Sequence, residues 1–245
     1  MRALLVGIDV ATVPAKVGLA RATYVDGRVQ LEEAMLCTRS SPAETLAAWL
    51  PGATDPVLLA IDAPLGWPAP LAKSLASHKA GEWIRTPPHE MFRRATDRSI
   101  QKKLSKTPLD VGADRIARTA HAALTMLGEL RDRLGAPIPL AWSPEIAGIA
   151  AIEVYPAATL VAHGMPSSGY KAPSQGAVRE KILAALQEWV VVDTDAEILR
   201  NHADALDAAV CLLAAKDFLE NRAMAPTDLA IARREGWIWA APKPC

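Results

Sequence analysis

Five carboxylates in four short segments stand where an acidic active site could use them: Asp9 in GIDVA, Asp62 in AIDAPLG, Glu153 in AIEVYP, and Asp204 with Asp207 in HADALDAAV. The first three belong to short apolar runs that read as β-strands, and the last two open a helix. One sheet can gather strand ends that lie far apart in the chain, so the pattern points to a carboxylate cluster that holds Mg²⁺ or Mn²⁺. Acids brought this close repel strongly, and a divalent cation removes that penalty while orienting phosphate and water. Such a cluster serves metal-assisted phosphoryl transfer or hydrolysis.

The elements that must position these acids follow from the hydrophobic pattern. Leu4 to Asp9, Val17 to Tyr24 and Arg28 to Leu36 read as three strands, with Asp26-Gly27 as a two-residue hairpin signal between the last two. Helical periodicity from Pro42 to Leu50, a Pro51-Gly52 break and the run Val57 to Asp62 predict a crossover into a strand beside the first. After Pro64-Leu65-Gly66-Trp67-Pro68 the next clear strand is Ile149 to Val154. Residues 68–140 therefore read as a largely helical insertion within a single domain spanning 1–245, with helices at Leu71 to Ala80 and Gly112 to Leu134 joined by a basic, proline-containing link. Pro156 opens a short helix, PAATLVAH. A helix from Gln175 to Trp189, a short strand at Val190 to Val192 and a long apolar helix from Ala203 to Leu219 complete the order.

Composition narrows the classes. With 245 residues and 51% hydrophobic content the chain can bury a sizeable core, which excludes overall disorder. Its 27 basic and 27 acidic side chains remove any argument from global charge for a protein that coats nucleic acid. Cys37, Cys211 and Cys245 form no CxxC pair, a pattern that fits a reducing compartment. MRALLVGIDVA is too short for a signal peptide, and no stretch approaches the roughly 20 apolar residues a membrane span needs. A soluble cytoplasmic protein is expected.

Each acid also has a structural alternative. Asp9 lies in a strand too apolar to tolerate it unless it is ligated, hydrogen-bonded or exposed at the strand end. Asp62 precedes Ala63-Pro64, where a short acid can organise a turn. Alternation puts Glu153 with Ala151, on the face opposite Ile152 and Val154. Asp204 and Asp207 share one face of a helix near its positive end, where either could cap the first turn and His202 could bond to it.

Between Arg85 and Arg118 the chain carries nine basic and four acidic residues, a local excess of five positive charges in a neutral protein. Arg94, Arg98 and Lys102 are the candidates there for binding substrate phosphate, with Asp97 orienting an arginine. The five histidines form no HxxxH or HExxH motif, which disfavours a zinc hydrolase. Neither Ser167-Ser168-Gly169 nor Ser174-Gln175-Gly176 has the GxSxG arrangement of a serine hydrolase. Tryptophan fills irregular cores efficiently, so EGWIWAAP is expected to seal the carboxyl-terminal region against the core rather than stack bases.

The ordered motifs GIDVAxxxxxVGLA, AIDAPLGWP, RRATDR, AIEVYPAATL and HADALDAAV resemble domain of unknown function family 429, predicted RNase H-like nucleases, from about residue 4 to Ile238. The resemblance implies an α/β fold: a five-stranded mixed sheet whose first three strands are antiparallel, flanked by helices. It also implies acids on the first strand, at the end of the fourth, and at the start of the last core helix. Asp9 and Asp62 match the first two places, and Asp207 with Asp204 resembles the paired acids of a Holliday-junction resolvase. Glu153 is an additional acid outside that scheme.

The expected function is a nuclease that uses Mg²⁺ or Mn²⁺ to hydrolyse phosphodiester bonds in DNA or RNA. Asp9, Asp62, Asp207 and Asp204 serve as metal ligands, with Glu153 beside them as a further catalytic acid. Two other classes stay open: a nucleotide-dependent phosphotransferase or ATPase of the same broad fold, which lacks a GxxxxGK[ST] loop here, and a non-catalytic nucleic-acid-binding module. A homodimer could build a composite basic groove that one chain cannot.

Overall fold

The computed structural model describes residues 1–50, 55–112 and 114–243; the Pro51-Gly52 break and Cys245 lie outside them. Strands β1 (Arg2–Asp9), β2 (Gly18–Val25) and β3 (Arg28–Leu36) form an antiparallel meander. Its second turn is Asp26-Gly27, with φ of 44° and 90°, the two positive values that a two-residue hairpin needs to match strand twist. Helix α1 (Pro42–Trp49), capped where Ser41 Oγ accepts the Glu44 N–H at 3.1 Å, leads to β4 (Val57–Asp62), which pairs parallel to β1.

Four helices then precede the next strand: α2 (Ala69–Leu75), α3 (Pro88–Met91), α4 (Ala95–Leu104) and α5 (Asp114–Leu134). β5 (Ile149–Glu153) pairs parallel to β4 and is followed by α6 (Pro156–Ala162) and α7 (Gly176–Leu186). The chain ends with β6 (Val190–Val191), α8 (Ala196–Asn201), α9 (Ala203–Leu219) and α10 (Leu229–Glu235). Helices α3, α4, α8 and α10 have no counterpart in the sequence pattern; each is short and takes its stability from tertiary contacts.

The sheet has six strands in the order β5-β4-β1-β2-β3-β6, not five. The sixth is the valine pair Val190–Val191, which runs parallel to β3 opposite Val29 and Gln30 and covers part of what would be an open edge.

Period-two alternation divides the strands between two cores. Leu5, Leu58, Ala60 and Ile152 face a core shared with α7 and α9. Val6, Ile8, Leu59 and Ile61 face a core shared with Leu46 of α1 and with Ala123, Leu127 and Leu130 of α5. Helix α9 is buried at every residue from Ala205 to Leu219, which is why its sequence is apolar all round instead of showing one apolar stripe. The EGWIWAAP segment does seal this layer: Trp237 and Trp239 are buried, and Trp239 packs edge-on against Phe218 of α9 with ring centroids 4.8 Å apart. No helix among the described residues is long and apolar enough to cross a membrane.

Gly7 fixes how close α9 comes to the sheet. A Cβ there would lie 1.9 Å from the Ala208 carbonyl oxygen, so only glycine permits the helix backbone to approach β1 this closely. Gly7→Ala is therefore expected to push α9 off the sheet at a cost of about 3 kcal/mol or more, read as a lowered urea midpoint. An unchanged midpoint would mean that this contact is not maintained in solution.

Candidate metal centre

The alternation that builds the core also aims two of the acids. Leu5 and Gly7 face α9, so Asp9, the next residue of that parity, faces α9 as well; Leu58 and Ala60 do the same for Asp62. Because β1 and β4 are parallel and in register, Asp9 and Asp62 are direct neighbours at the carboxyl ends of adjacent strands. Asp207, one turn into α9, completes the group. One oxygen from each of Asp9, Asp62 and Asp207 lies within 4.8 Å of the other two.

Charge and burial set the state of these groups. Burial pushes the Asp9 carboxyl well above its usual range, and the charges of Asp207, Asp62 and Asp204 add to the effect. Burial and the Asp207 charge push Asp62 up to about 7. Asp207, fully buried, is also raised, with Lys171 and Tyr170 opposing the shift. Tyr170 donates its hydroxyl to Asp207 Oδ1 at 2.7 Å. The other oxygen, Oδ2, is buried and receives no directed hydrogen bond; Lys171 Nζ lies 2.7 Å from it. The Lys171 side chain is exposed along most of its length; partial withdrawal of its ammonium from water opposes the charge, but Asp207, Asp9 and Asp62 outweigh that and hold it protonated.

The donor set suits a hard divalent cation. All three residues offer carboxylate oxygens, the geometry brings them together without a second ligand type, and the Lys171 ammonium 2.7 Å from Asp207 Oδ2 already places a positive charge beside the group. Asp204, half-buried in the first turn of α9, contributes negative charge to Asp9 and stands outside the three-residue group.

A pH dependence follows. The folded-state pKa of Asp62, about 7, lies above the ordinary 3.8, so its contribution to metal-free stability is full below about pH 4 and is lost as pH rises through about 7. Mn²⁺ should therefore raise the melting temperature strongly at pH 8 and weakly at pH 5, where protons compete for the same oxygens. Equal shifts at both pH values would show that Mn²⁺ does not bind at these carboxylates.

Glu153 and Arg94 have a different place from the one expected. Parity puts Glu153 with Ala151 on the face away from α9, so it stands outside the three-acid group, yet it lines the same cleft as Asp9 and Asp62 and its charge adds to the rise of the Asp62 carboxyl. Its oxygens are taken by Arg94, through Nη1 at 2.8 Å and Nη2 at 2.7 Å, and by the Leu65 N–H at 2.9 Å. Arg94 is 1% exposed and also donates to Asp97 Oδ1 at 2.9 Å and to the Glu235 carbonyl at 3.2 Å. Burial disfavours its charge, yet Glu153 and Asp97 outweigh this and keep it protonated. The guanidinium is thus paired with two carboxylates inside the protein, where it lines the cleft behind Asp9 and Asp62. Asp97 orients an arginine as expected, and its Oδ2 also accepts the Arg94 backbone N–H at 2.8 Å at the start of α4. Arg98 is exposed and donates to the Arg93 carbonyl at 2.7 Å, while Lys102 is exposed; neither lines the acid-floored cleft.

That cleft encloses about 510 Å³, with Asp9 and Asp62 on its floor and Lys106, Lys171 and Tyr170 in its walls. Sequence reasoning missed Tyr170 and Lys171. The signal was the adjacent Tyr-Lys pair in a Ser/Gly-rich connection, MPSSGYK, passed over because its serines fit no hydrolase motif. His202, the histidine nearest the acids in sequence, is exposed and makes no capping bond with its side chain.

The model of the family described as protein of unknown function (DUF429) matches residues 7–230. The chain belongs to the DUF429 family. The match takes in Asp9, Asp62, Asp207, Tyr170 and Lys171, so the whole acid-floored site lies within the DUF429 region. No curated protein matches the chain. Among solved structures, T. thermophilus RuvC in complex with Holliday junction substrate is similar at 11% identity over 85% of this chain and 90% of that one, with a TM-score of 0.31. A likeness at that level carries no argument about this DUF429 protein.

Proposed function

We propose that the protein is an RNase H-like hydrolase that uses Mg²⁺ or Mn²⁺ to cleave phosphodiester bonds in nucleic acid. The observation that carries this reading is the convergence of Asp9, Asp62 and Asp207 within 4.8 Å on one side of the sheet, with Asp9 and Asp62 lining an open cleft and Asp207 buried behind them. The fold reading rests on the sheet order: an antiparallel β1-β2-β3 meander, with β4 and β5 added parallel on the β1 side.

Asp9, Asp62 and Asp207 would hold the cation, with Asp204 close enough to add charge or a water-mediated ligand. A bound Mg²⁺ or Mn²⁺ supplies an activated water and positive charge for the leaving oxygen. Tyr170 fixes the rotamer of Asp207 through Oδ1, and Oδ2 faces the Lys171 ammonium. Lys171 pairs with Asp207 in the metal-free protein and turns to a non-bridging phosphate oxygen when substrate is present. Glu153 and Arg94 act as scaffold rather than as catalytic or substrate-binding groups.

Removing a competing charge at this distance has a measurable consequence. Lys171→Met is expected to tighten Mn²⁺ binding about tenfold, because no ammonium then opposes the ion, and to slow turnover by losing the phosphate contact. Titration calorimetry paired with turnover checks both. Weaker Mn²⁺ binding would place Lys171 outside the metal environment.

The functional test is turnover of labelled single-stranded, duplex, hybrid and branched DNA and RNA with Mn²⁺ or Mg²⁺. Cleavage that EDTA stops is the expected result. Absence of cleavage of every substrate at saturating metal would contradict the reading.

A further inference from the structure

The cleft over the acids has a neighbour. A second hollow, of about 550 Å³, adjoins it and shares Pro108, Leu109 and Ile116 with it as a common ridge. Both volumes lie in the range that encloses a small ligand, and each is of nucleotide scale. The linings differ: Asp9, Asp62 and Glu153 in the first, and Arg93, Arg115 and Asp110 in the second, where Asp110 is paired with Arg93. Leu109 on the ridge is 68% exposed, an apolar side chain standing in solvent between the two hollows.

Three arginines of the basic 85–118 segment are engaged within the protein. Arg94 is buried in its ion pairs, Arg93 is bonded to Asp110 at 2.8 Å, and Arg98 is turned to the Arg93 carbonyl. Among the described residues, the accessible cations lining the two hollows are Lys106, Lys171, Arg93 and Arg115. Lys106 also bridges the rim, donating to the Ser167 carbonyl at 3.0 Å and so tying the connection between α4 and α5 to the one between α6 and α7. A duplex presents a phosphate about every 1.7 Å of axis and is held through many of them. Four cations around two small hollows, with the rim bridged, match a much shorter stretch of backbone.

We infer that the substrate is a single-stranded polynucleotide that enters as two consecutive unpaired nucleotides. One sits over Asp9 and Asp62, and the next sits across the Leu109 ridge with its phosphate on Arg115. This deepens the nuclease reading of the same cleft and rests on it. The unpaired bases lie against the apolar ridge of Pro108, Leu109 and Ile116, whose non-polar contact offers no hydrogen-bond readout and so sets strandedness rather than sequence.

The test is fluorescence anisotropy of end-labelled single-stranded and blunt duplex oligonucleotides, as DNA and as RNA, with Ca²⁺ present in place of Mg²⁺. Single strands should bind at least tenfold tighter than duplex. The salt slope should be no steeper than about −3, since each of at most four neutralised phosphates contributes roughly −0.7 on a single strand. Arg115→Glu should weaken single-strand binding at least fivefold while leaving Mn²⁺ affinity, measured by calorimetry, unchanged. Equal or tighter duplex binding, a markedly steeper slope, or an indifferent Arg115→Glu would overturn the inference. If Mn²⁺ binds the acids and single strands do not bind, this inference alone falls; if Mn²⁺ does not bind, the metal-hydrolase reading falls first. The DNA and RNA arms distinguish which polynucleotide is preferred.

Discussion

Asp9→Asn is expected to abolish metal-supported turnover, by about 10³-fold or more, while making the metal-free protein at least as stable as the wild type at pH 8. Both halves have the same cause. Asp9 is 9% exposed, and burial together with the charges of Asp207 and Asp62 makes its ionised form costly. An amide of the same shape removes a charge from the crowded group without opening a cavity. It also removes a negatively charged ligand, so the remaining acids bind a divalent cation far less well. Thermal unfolding in EDTA and turnover in Mn²⁺ read the two effects on one preparation. A large fall in melting temperature would mean that Asp9 holds the fold together, and retained turnover would remove it from the mechanism. The combination of stability kept or gained with activity lost separates a functional acid from a structural one.

Arg94→Met should have the opposite profile, with a large stability loss. The guanidinium joins Glu153 on β5, Asp97 on α4 and the carbonyl of Glu235 at the end of α10, all out of water. The Glu235 carboxylate continues the network, accepting the Ala69 N–H at 2.8 Å and the Ala95 N–H at 2.7 Å. Gly236, at φ 84°, lies so close that a Cβ would meet Glu153 Oε2 at 2.7 Å. Methionine would leave two carboxylates buried without their cation. Breaking a buried pair in this way costs about 3–5 kcal/mol. For a chain of this size that is a fall in melting temperature of roughly 6–20 °C. Adding Glu153→Gln to Arg94→Met should recover part of the loss, because one orphaned charge is then gone. A double variant less stable than Arg94→Met would contradict the ion-pair account.

These two residues also show how far the sequence could be read. Asp9 and Asp62 were legible because each ends an apolar strand whose alternation continues into the acid, so strand period and burial jointly imply a costly charge with a purpose. Asp207 was legible from its place in the first turns of an apolar helix. The same alternation already put Glu153 on the opposite face from Ile152 and Val154, and the structure confirms that parity. Its company was not legible, because Arg94 lies 59 positions away and reaches it only through the packing of α4 against the sheet edge. A cluster of arginines in sequence looks basic whether or not its charges are spent inside. Lys171 was invisible for a related reason: its side chain is 62% exposed, in a loop without periodicity, and only the fold brings Nζ to Asp207.

The same limit applies to the sheet. The three-stranded meander and the crossover to β4 follow from turn chemistry and alternation, which are local. The strand at Val190 to Val192 was legible from its valines, but its pairing was not: only the fold brings Val190–Val191 to the edge of β3, where it becomes the sixth strand of the sheet.

The central claim is that Asp9, Asp62 and Asp207 together bind a divalent cation, and the most direct measurement is anomalous X-ray diffraction from crystals of the protein grown with Mn²⁺. The account predicts a peak bonded to an oxygen of each of the three carboxylates, at roughly 2.0–2.6 Å as hard cations require, with the Lys171 ammonium moved away from Asp207 Oδ2. A fully formed crystal with no peak at these acids, and with Lys171 still paired to Asp207, would contradict it.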